Sequence, residues 1–538
     1  MTKFKNFLGE FGAGGLILIF VCSGTLIKRW GLDNDAWFIL NCGRYVLETG
    51  TIPHVEFATM HEGLHYVMEQ WLTAVIFWKV YSVFGADGLM NFCWLFGAAL
   101  LCVYYKLCLY VSGGNRKVSA LLAFVVGAVV MTSFIVTRPQ VLSTLILATE
   151  VFLLEKYFRE GKIWALGILP ALSALLVNLH AALWPMMIIL LLPFLAEALL
   201  KKNPLALLLT ALGIFLAGFA NPYGWEAMIF IFTSYDPAIH RNIAEMHATA
   251  ATNPLGALFF IFSALLIVAF AKKSMPARYF FLTFGLMILG VQALRATFLF
   301  LMLATVPLAF ALRDWHPFDK IFLLPHKLLV PLLLIFPLEF WRVYAEPVRL
   351  PVKIILVGAV IFLALFIFFY AREGKIFSQT LPVLRRKPLI ALAVAQGIIF
   401  SLAVPSLNAE KNYEYYKPAL DFLLERERAE DIILWTGFNS GGYAEFRGVK
   451  CYLDARPEIF ARSNNHKADI IQEYLALRSG ELDYEKFFAR YNFTHIFVTQ
   501  EEMLLYQLLS RDKNYRQIFE YEFQTRGKTY RGRIFEPN

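Results

Sequence analysis

Residues 67–84 read Val-Met-Glu-Gln-Trp-Leu-Thr-Ala-Val-Ile-Phe-Trp-Lys-Val-Tyr-Ser-Val-Phe. Whether this stretch crosses a bilayer or lies along it decides the side of every later loop. It is apolar enough to cross. It is also short for a span, carries Glu69 and Lys79, and holds Trp71, Trp78 and Tyr81, ring types that favour the membrane–water boundary.

The surrounding chain makes the membrane question unavoidable. Of 538 residues, 58% are hydrophobic and 17% charged, more apolar surface than a soluble protein of this length can bury. Apolar runs of about 17–25 residues, the length that spans a hydrocarbon core, recur through the first three-quarters of the sequence. They fall at 12–28, 88–110, 118–136, 140–158, 163–178, 181–200, 204–219, 254–271, 277–291, 296–312, 321–338, 352–370 and 388–404. The first follows Lys3 and Lys5 with no small-residue cleavage site after it, so it reads as an anchor rather than a leader. The net charge of +9 is the ordinary excess of Lys and Arg in cytoplasmic loops and does not point to nucleic acid. Six cysteines without a Cys-x-x-Cys pair suggest neither a disulfide framework nor a thiolate metal site.

Loop charge settles 67–84. If the stretch lies flat, nineteen Lys and Arg fall in inner loops, among them Arg116, Lys156, Lys201, Lys272 and Arg385, against six in the outer loops beyond residue 84. If it crosses, that bias reverses. The positive-inside rule therefore predicts a juxtamembrane helix over 67–84, thirteen crossings, a cytoplasmic N-terminus and an extracytoplasmic C-terminus in a multi-pass cell (inner) membrane protein. Residues 1–405 form the transmembrane domain, with a first outer loop at 29–87. Residues 406–538, richer in charge, alternate strand-like pieces (432–435, 450–453, 495–498) with helical ones (414–428, 465–479, 501–511), the pattern of a small α/β domain.

This topology gathers the unusual polar residues on one face. Asp33 and Asp35 lie there, with Arg138-Pro139-Gln140, Asn178-Leu179-His180, Asn221-Pro222-Tyr223-Gly224, the stretch from His240 to His247, and Arg295. Carboxylates at the mouth of a span are costly to desolvate and tend to be functional. Asp35 is the first choice for a general base and Asp33 the second; either could instead cap the helix that Ala36 begins. Arg138 and Arg295 each sit between two apolar spans, where a guanidinium could grip a phosphate in two-pronged fashion or simply reach for the interface. His180 lies at similar depth. Asn221-Pro222-Tyr223-Gly224 is first of all a turn, and the polar stretch 220–253 reads as a long, mobile loop.

His61-Glu62-Gly63-Leu64-His65 matches the His-Glu-x-x-His zinc pattern. That pattern needs a continuous helix, and a central Gly63 in a turn-like region argues against one. A divalent metal held by some of His54, Glu56, His61, His65, His240, Glu245 and His247 is the softer expectation; a wet, histidine-rich loop is the plain one. In the tail, Gly437-Phe438-Asn439-Ser440-Gly441-Gly442 lacks the Lys-Ser/Thr ending of a phosphate loop. Asp454-Ala455-Arg456 follows a strand and reads first as a structural ion pair, with an acceptor contact as the alternative.

The run Asp-Asn-Asp-Ala-Trp-Phe-Ile-Leu-Asn-Cys-Gly-Arg-Tyr-Val-Leu-Glu-Thr-Gly-Thr-Ile-Pro-His-Val-Glu-Phe at 33–57, followed by Met-Glu-Gln-Trp-Leu at 68–72, resembles the first outer loop of bacterial GT-C glycosyltransferases. The resemblance covers most of the chain by architecture and much less by motif. It implies a GT-C-like helical membrane domain with an outer α/β tail, and an inverting enzyme of glycan biosynthesis in the cell envelope. Such an enzyme moves a sugar from a polyprenyl-phosphate carrier to a glycan, lipid or protein acceptor on the outer face. It would place Asp35 or Asp33 as base, with Arg138, Arg295, His180, Asn178 and Tyr223 around the carrier. It leaves the cofactor at a divalent metal that some members use (His61, His65, His240 and His247 being the donors to hand). The competing reading is a lipid or polysaccharide transporter, or an assembly factor without catalysis. A transporter predicts ionisable residues at mid-membrane and broken helices in paired halves; the sequence has few such residues and no matching halves.

Overall fold

The computed structural model describes residues 32–315 and 415–538, except 235, 237, 238, 240, 241, 526 and 527. The expected spans at 12–28, 321–338, 352–370 and 388–404 lie outside the described residues, so the expected count of thirteen extends beyond what is seen.

The first loop builds helix α1, Asn34–Thr49. Asp33 caps it, its side chain accepting from the Asp35 N–H, which satisfies one of the unpaired donors of the first turn. Gly50, at φ 68°, ends it in the left-handed conformation and returns its N–H to the Val46 carbonyl. Helix α2, Trp71–Val111, holds 41 residues. At 1.5 Å per residue a straight helix would run about 60 Å, roughly twice a hydrocarbon core. It is not straight. Gly85 takes φ 67° and ψ −165°, a region closed to side chains, and separates a 71–84 segment from the 86–111 span. The first limb covers most of the stretch 67–84 and is set apart from the rest of the helix by that kink. Gly43 lets α1 cross α2 at backbone contact: a Cβ there would run into the Ala74 carbonyl.

Four apolar helical stretches are long enough to cross a membrane: Trp71–Val111, Ala181–Leu200, Pro254–Lys272 and Leu294–Ala311. Between and beside them lie α3 (Arg116–Ser133), α4 (Gln140–Glu160), α5 (Leu169–Leu179), α6 (Pro185–Leu200) and α7 (Leu205–Ala217). There follow α8 (Trp225–Thr233), α9 (Pro254–Lys272) and α10 (Ala277–Gln292). The segment 220–253 is therefore not a plain loop. Its apolar run forms α8, which buries Ala227, Met228 and Phe230. At the end of the bundle away from the first loop, buried Arg278 bridges Glu155 on α4 and Glu197 on α6, both at 2.7 Å.

The tail carries a five-stranded sheet in the order β2-β1-β3-β5-β4. The strands are β1 (Ile433–Trp435), β2 (Lys450–Cys451), β3 (His495–Thr499), β4 (Tyr515–Thr525) and β5 (Lys528–Pro537). β1 pairs in parallel with β2 and β3; β3–β5 and β5–β4 are antiparallel. Strands β1, β2 and β3 fall at the strand-like pieces expected from the sequence. The β4–β5 hairpin is an addition, marked by Phe519, Tyr521 and Phe523 stacking along one face.

The tail closes on the first loop. Trp37 of α1 packs against Tyr443 and Phe446. The Met60 N–H donates to the Cys451 carbonyl at 2.9 Å. Helix α11, Gly441–Phe446, approaches α1 at Gly442, where a Cβ would lie 3.4 Å from the Phe38 nitrogen. Helix α1 is thus held between α2 and the tail.

Candidate active site at the first loop

The cap that starts α1 also sets the site. Asp33 and Asp35 sit one on each side of the first helical residue, so both carboxylates meet the end of α4. Arg138, in the turn before α4, reaches all of them. Its Nη2 lies 2.7 Å from Asp33 Oδ1 and its Nε 3.1 Å from Asp35 Oδ2. Its Nη1 lies 3.4 Å from Glu245 Oε1. The Thr137 hydroxyl accepts from the Asp33 N–H at 3.0 Å. One guanidinium therefore serves three carboxylates. Burial pushes the Asp35 carboxyl up to about 8; Arg138 opposes the shift, while Asp33, Glu245 and Glu458 add to it. Burial wins because the opposing cation is shared.

A second group faces it. The Glu69 carboxylate accepts from the Ala182 N–H at 3.0 Å, and its backbone carbonyl accepts from the Ala181 N–H. Burial raises Glu69 to about 7, against the pull of the Ala182 N–H and Arg295. His180 is buried between α5 and Ala181, its Nε2 3.9 Å from Glu69 and its Nδ1 2.8 Å from the Ser143 hydroxyl. Ser143 donates to the Pro139 carbonyl, so the bond to His180 is best assigned with Nδ1–H as donor and Nε2 as a free lone pair. Burial, with the nearby Arg295 charge, pushes His180 down to about 3, and the ring is neutral. Arg295 is exposed on its short turn; among the described residues it makes no ion pair or side-chain hydrogen bond.

The other expected residues hold the frame. The Asn178 amide is fully committed, accepting from Trp71 Nε1 at 2.8 Å and donating to the Ala174 and Ala220 carbonyls. It fixes the start of α2. The Tyr223 hydroxyl donates to the Pro53 carbonyl at 2.7 Å, and its ring meets His54 edge-on. Both pin the first loop and leave no group free for a carrier.

The His-Glu-x-x-His stretch is not helical; Gly63 has φ 68° and an isolated bridge joins Val55 to His65. His61 Nε2 donates to the Tyr452 carbonyl at 2.7 Å, and His65 pairs with Glu226 at 3.1 Å. The two rings thus turn to different partners. His240 lies outside the described residues, and His247 passes its carbonyl to the Leu294 N–H. Between Asp33, Asp35 and Glu245 the place a divalent cation would take is filled by Arg138, so those residues as arranged do not fit one. The described residues whose ligand atoms do converge are Glu427, His495 and Glu536 in the tail. There His495 Nε2 lies 3.4 and 3.3 Å from the two carboxylates and Arg516 neutralises Glu536, an ion-pair cluster away from the first loop.

Asp454 and Arg456 do form the ion pair expected of them, within a larger network. Arg456 Nη2 lies 3.1 Å from Glu445 and 3.1 Å from Glu56 of the first loop, and Nε lies 2.6 Å from Asp454. All four side chains are buried.

Comparison of the sequence with protein-family models and with curated proteins gives no match. Comparison of the fold does. AglB, an oligosaccharyltransferase of Archaeoglobus fulgidus solved with an inhibitory peptide and a dolichol-phosphate, superposes with a TM-score of 0.57 at 12% identity, over 98% of this chain and 74% of its own. A complex of the same enzyme with Zn and sulfate gives 0.52 at 12%, over 96% and 72%. ArnT from Cupriavidus metallidurans in the apo state gives 0.50 at 12%, over 98% of both chains. At 12% identity the likeness is one of fold: the chain shares the fold of these AglB and ArnT structures.

Proposed function

We propose that the chain is an integral-membrane glycosyltransferase that takes a sugar from a polyprenyl-phosphate carrier and passes it, with inversion, to an acceptor on the outer face. Two unlike groups at the helix ends support this reading. Asp35 is a carboxylate raised toward neutrality, and Arg295 is an exposed guanidinium beside a neutral histidine. A base needs a pKa near the working pH to remove a hydroxyl proton. A departing phosphate needs a fixed cation.

In this reading the acceptor oxygen attacks the anomeric carbon as Asp35 takes its proton. The bond from that carbon to the phosphate oxygen breaks, and the carrier phosphate leaves with its charge held by Arg295. Arg138 sets the position and basicity of Asp35 rather than gripping the carrier, because Asp33, Asp35 and Glu245 already occupy its three nitrogens. The outer face rests on the distribution of loop charge. The domain division at about 405 rests on the change of composition there.

One observation favours transport instead. Glu150, in the middle of α4, is fully buried and neither oxygen has a partner among the described residues, and unpaired acids within spans often mark ion paths. The test separates the two. Full-length protein in proteoliposomes is given a radiolabelled short-chain polyprenyl-phosphate hexose and membrane extract as acceptor source. Asp35→Asn should abolish transfer and Glu150→Gln should spare it; the reverse pattern would sink the transferase reading.

A further inference from the structure

His495 opens β3 and is buried. The register that pairs Ile496 with Phe535 sets it across from Glu536, near the end of β5. Glu427 arrives from a third direction, in the turn after the helix Lys417–Leu424, where its N–H donates to the Leu423 carbonyl. Two strands of the sheet and a turn from the start of the tail therefore meet at one imidazole.

The ring is held in a definite orientation. Its Nδ1 lies 3.0 Å from the Thr494 hydroxyl. That hydroxyl accepts from the Ile433 N–H at 3.0 Å and donates to the Ile433 carbonyl at 3.3 Å. Its hydrogen is spent, so Nδ1–H is assigned as the donor and Nε2 is turned toward the two carboxylates. A histidine that ligates a metal is commonly fixed in this way, its other ring N–H donating to a neighbour.

The distances at Nε2 suit a metal better than a proton. Glu427 Oε1 lies 3.4 Å away and Glu536 Oε1 3.3 Å away, whereas a charge-assisted N–H···O bond would measure about 2.7–2.9 Å. Zinc holds imidazole nitrogen at about 2.0–2.1 Å and carboxylate oxygen at about 2.0–2.2 Å, so neighbouring corners of its tetrahedron stand about 3.4 Å apart. Two such edges are in place. The two carboxylate oxygens lie within 4.8 Å of each other, and Glu427, 38% exposed at its side chain, can swing to close that edge and leaves a way in from solvent. Arg516 takes the other oxygen of Glu536, Oε2, at 2.7 Å, which orients that carboxylate and leaves Oε1 for the ion. We propose that Glu427, His495 and Glu536 bind a divalent transition-metal cation, zinc by the size of the site, with water at the fourth corner. The ion ties the last strand of the chain to the first turn of the tail. The proposal does not depend on the transferase reading.

The experiment uses tag-free, full-length protein in nanodiscs, stripped with chelator and dialysed against buffered zinc. Bound metal is counted by mass spectrometry, and cobalt is substituted as an optical probe of coordination number. The variants are Glu427→Gln, His495→Gln, the two together, and Glu425→Gln at an exposed neighbour as control. The wild type and Glu425→Gln should hold one more zinc per chain than the double variant. Glu427→Gln and His495→Gln should each weaken that ion by at least about tenfold to a hundredfold, the loss already seen when only a supporting partner of a ligand is removed. Zinc should also slow amide exchange at 495–499 and 533–537 in the wild type and leave the double variant unchanged. Glu427 is part-exposed, so its variant remains informative if His495→Gln fails to fold. Equal zinc in the wild type and Glu427→Gln would overturn the proposal. So would a cobalt spectrum that is the same in the wild type and the double variant.

Discussion

Arg456→Met tests how the tail is held to the loop that carries the site. In the wild type one buried guanidinium stands among Asp454, Glu445 and Glu56, with nitrogen–oxygen distances of 2.6 to 3.1 Å. Methionine keeps much of the volume and removes the charge. Three carboxylates then share a dry pocket with no cation. Breaking a buried pair by deleting one partner costs about 3–5 kcal/mol, because the remaining charge is stranded. Two of the three acids are on the tail and one is on the loop, so separation relieves the strain. The loop–tail contact should open more often by a factor of about 10²–10³ or somewhat above. Hydrogen exchange reads this directly: amides at 54–66 and 451–461 of the full-length variant should exchange faster by that factor, while those of α9 stay unchanged. The loss should be largest at high pH and smaller as the stranded acids protonate. Glu56→Gln in the Arg456→Met background should return part of the protection. Unchanged exchange at both segments would refute the claim that this network clamps the domains.

Other outcomes follow from the cleft. Asp35→Asn should cut transfer by about 10²–10⁴, the usual share of a general base, without changing carrier binding. Because the Asp35 carboxyl is raised to about 8, only about a tenth of it is ionised at pH 7; transfer should climb several-fold between pH 7 and 9, and a flat profile would count against Asp35 as base. Arg138→Met removes the one group that lowers that value, so its rise in rate should shift to still higher pH. The same shift carries a stability cost: an acid whose folded pKa lies above its unfolded one destabilises the fold as pH rises from about 4 toward about 8, so the thermal midpoint should fall over that window and fall less in Asp35→Asn. Arg295→Met should weaken binding of polyprenyl phosphate tenfold or more and flatten its salt dependence; equal affinity would place the phosphate elsewhere.

What the sequence discloses depends on how local each signal is. Apolar runs are local, and the described helices fall close to the expected spans. Loop charge led to a break between 67–84 and the following span, and the positive φ at Gly85 divides the helix there. Asp33, Asp35, Arg138, His180 and Arg295 were legible as polar residues at span ends; the structure joins Asp33, Asp35 and Arg138 in one ion-paired group and sets His180 beside Glu69. Asn178 and Tyr223 carried the same signal, yet their hydrogen bonds are spent on the frame; composition cannot tell a framing amide from a binding one. Glu69 was visible only as a charge that argued for the interface, and Glu245 only as one of several metal donors. Helix α8 was hidden by the polar residues on either side of it.

The contact between Arg456 and Glu56 spans 400 positions of sequence, and that distance has a meaning in time. A ribosome adding about 5–20 residues per second releases the first loop some 20–80 s before it releases the group that clamps it. During that interval Glu56 is kept satisfied locally, by the Ala58 and Thr59 N–H groups and the Thr59 hydroxyl, so the loop can wait without stranding a charge. The cleft is finished only when the last quarter of the chain arrives. A truncated or stalled product would carry Asp35 and Arg138 on a first loop that lacks the guanidinium the tail brings to Glu56.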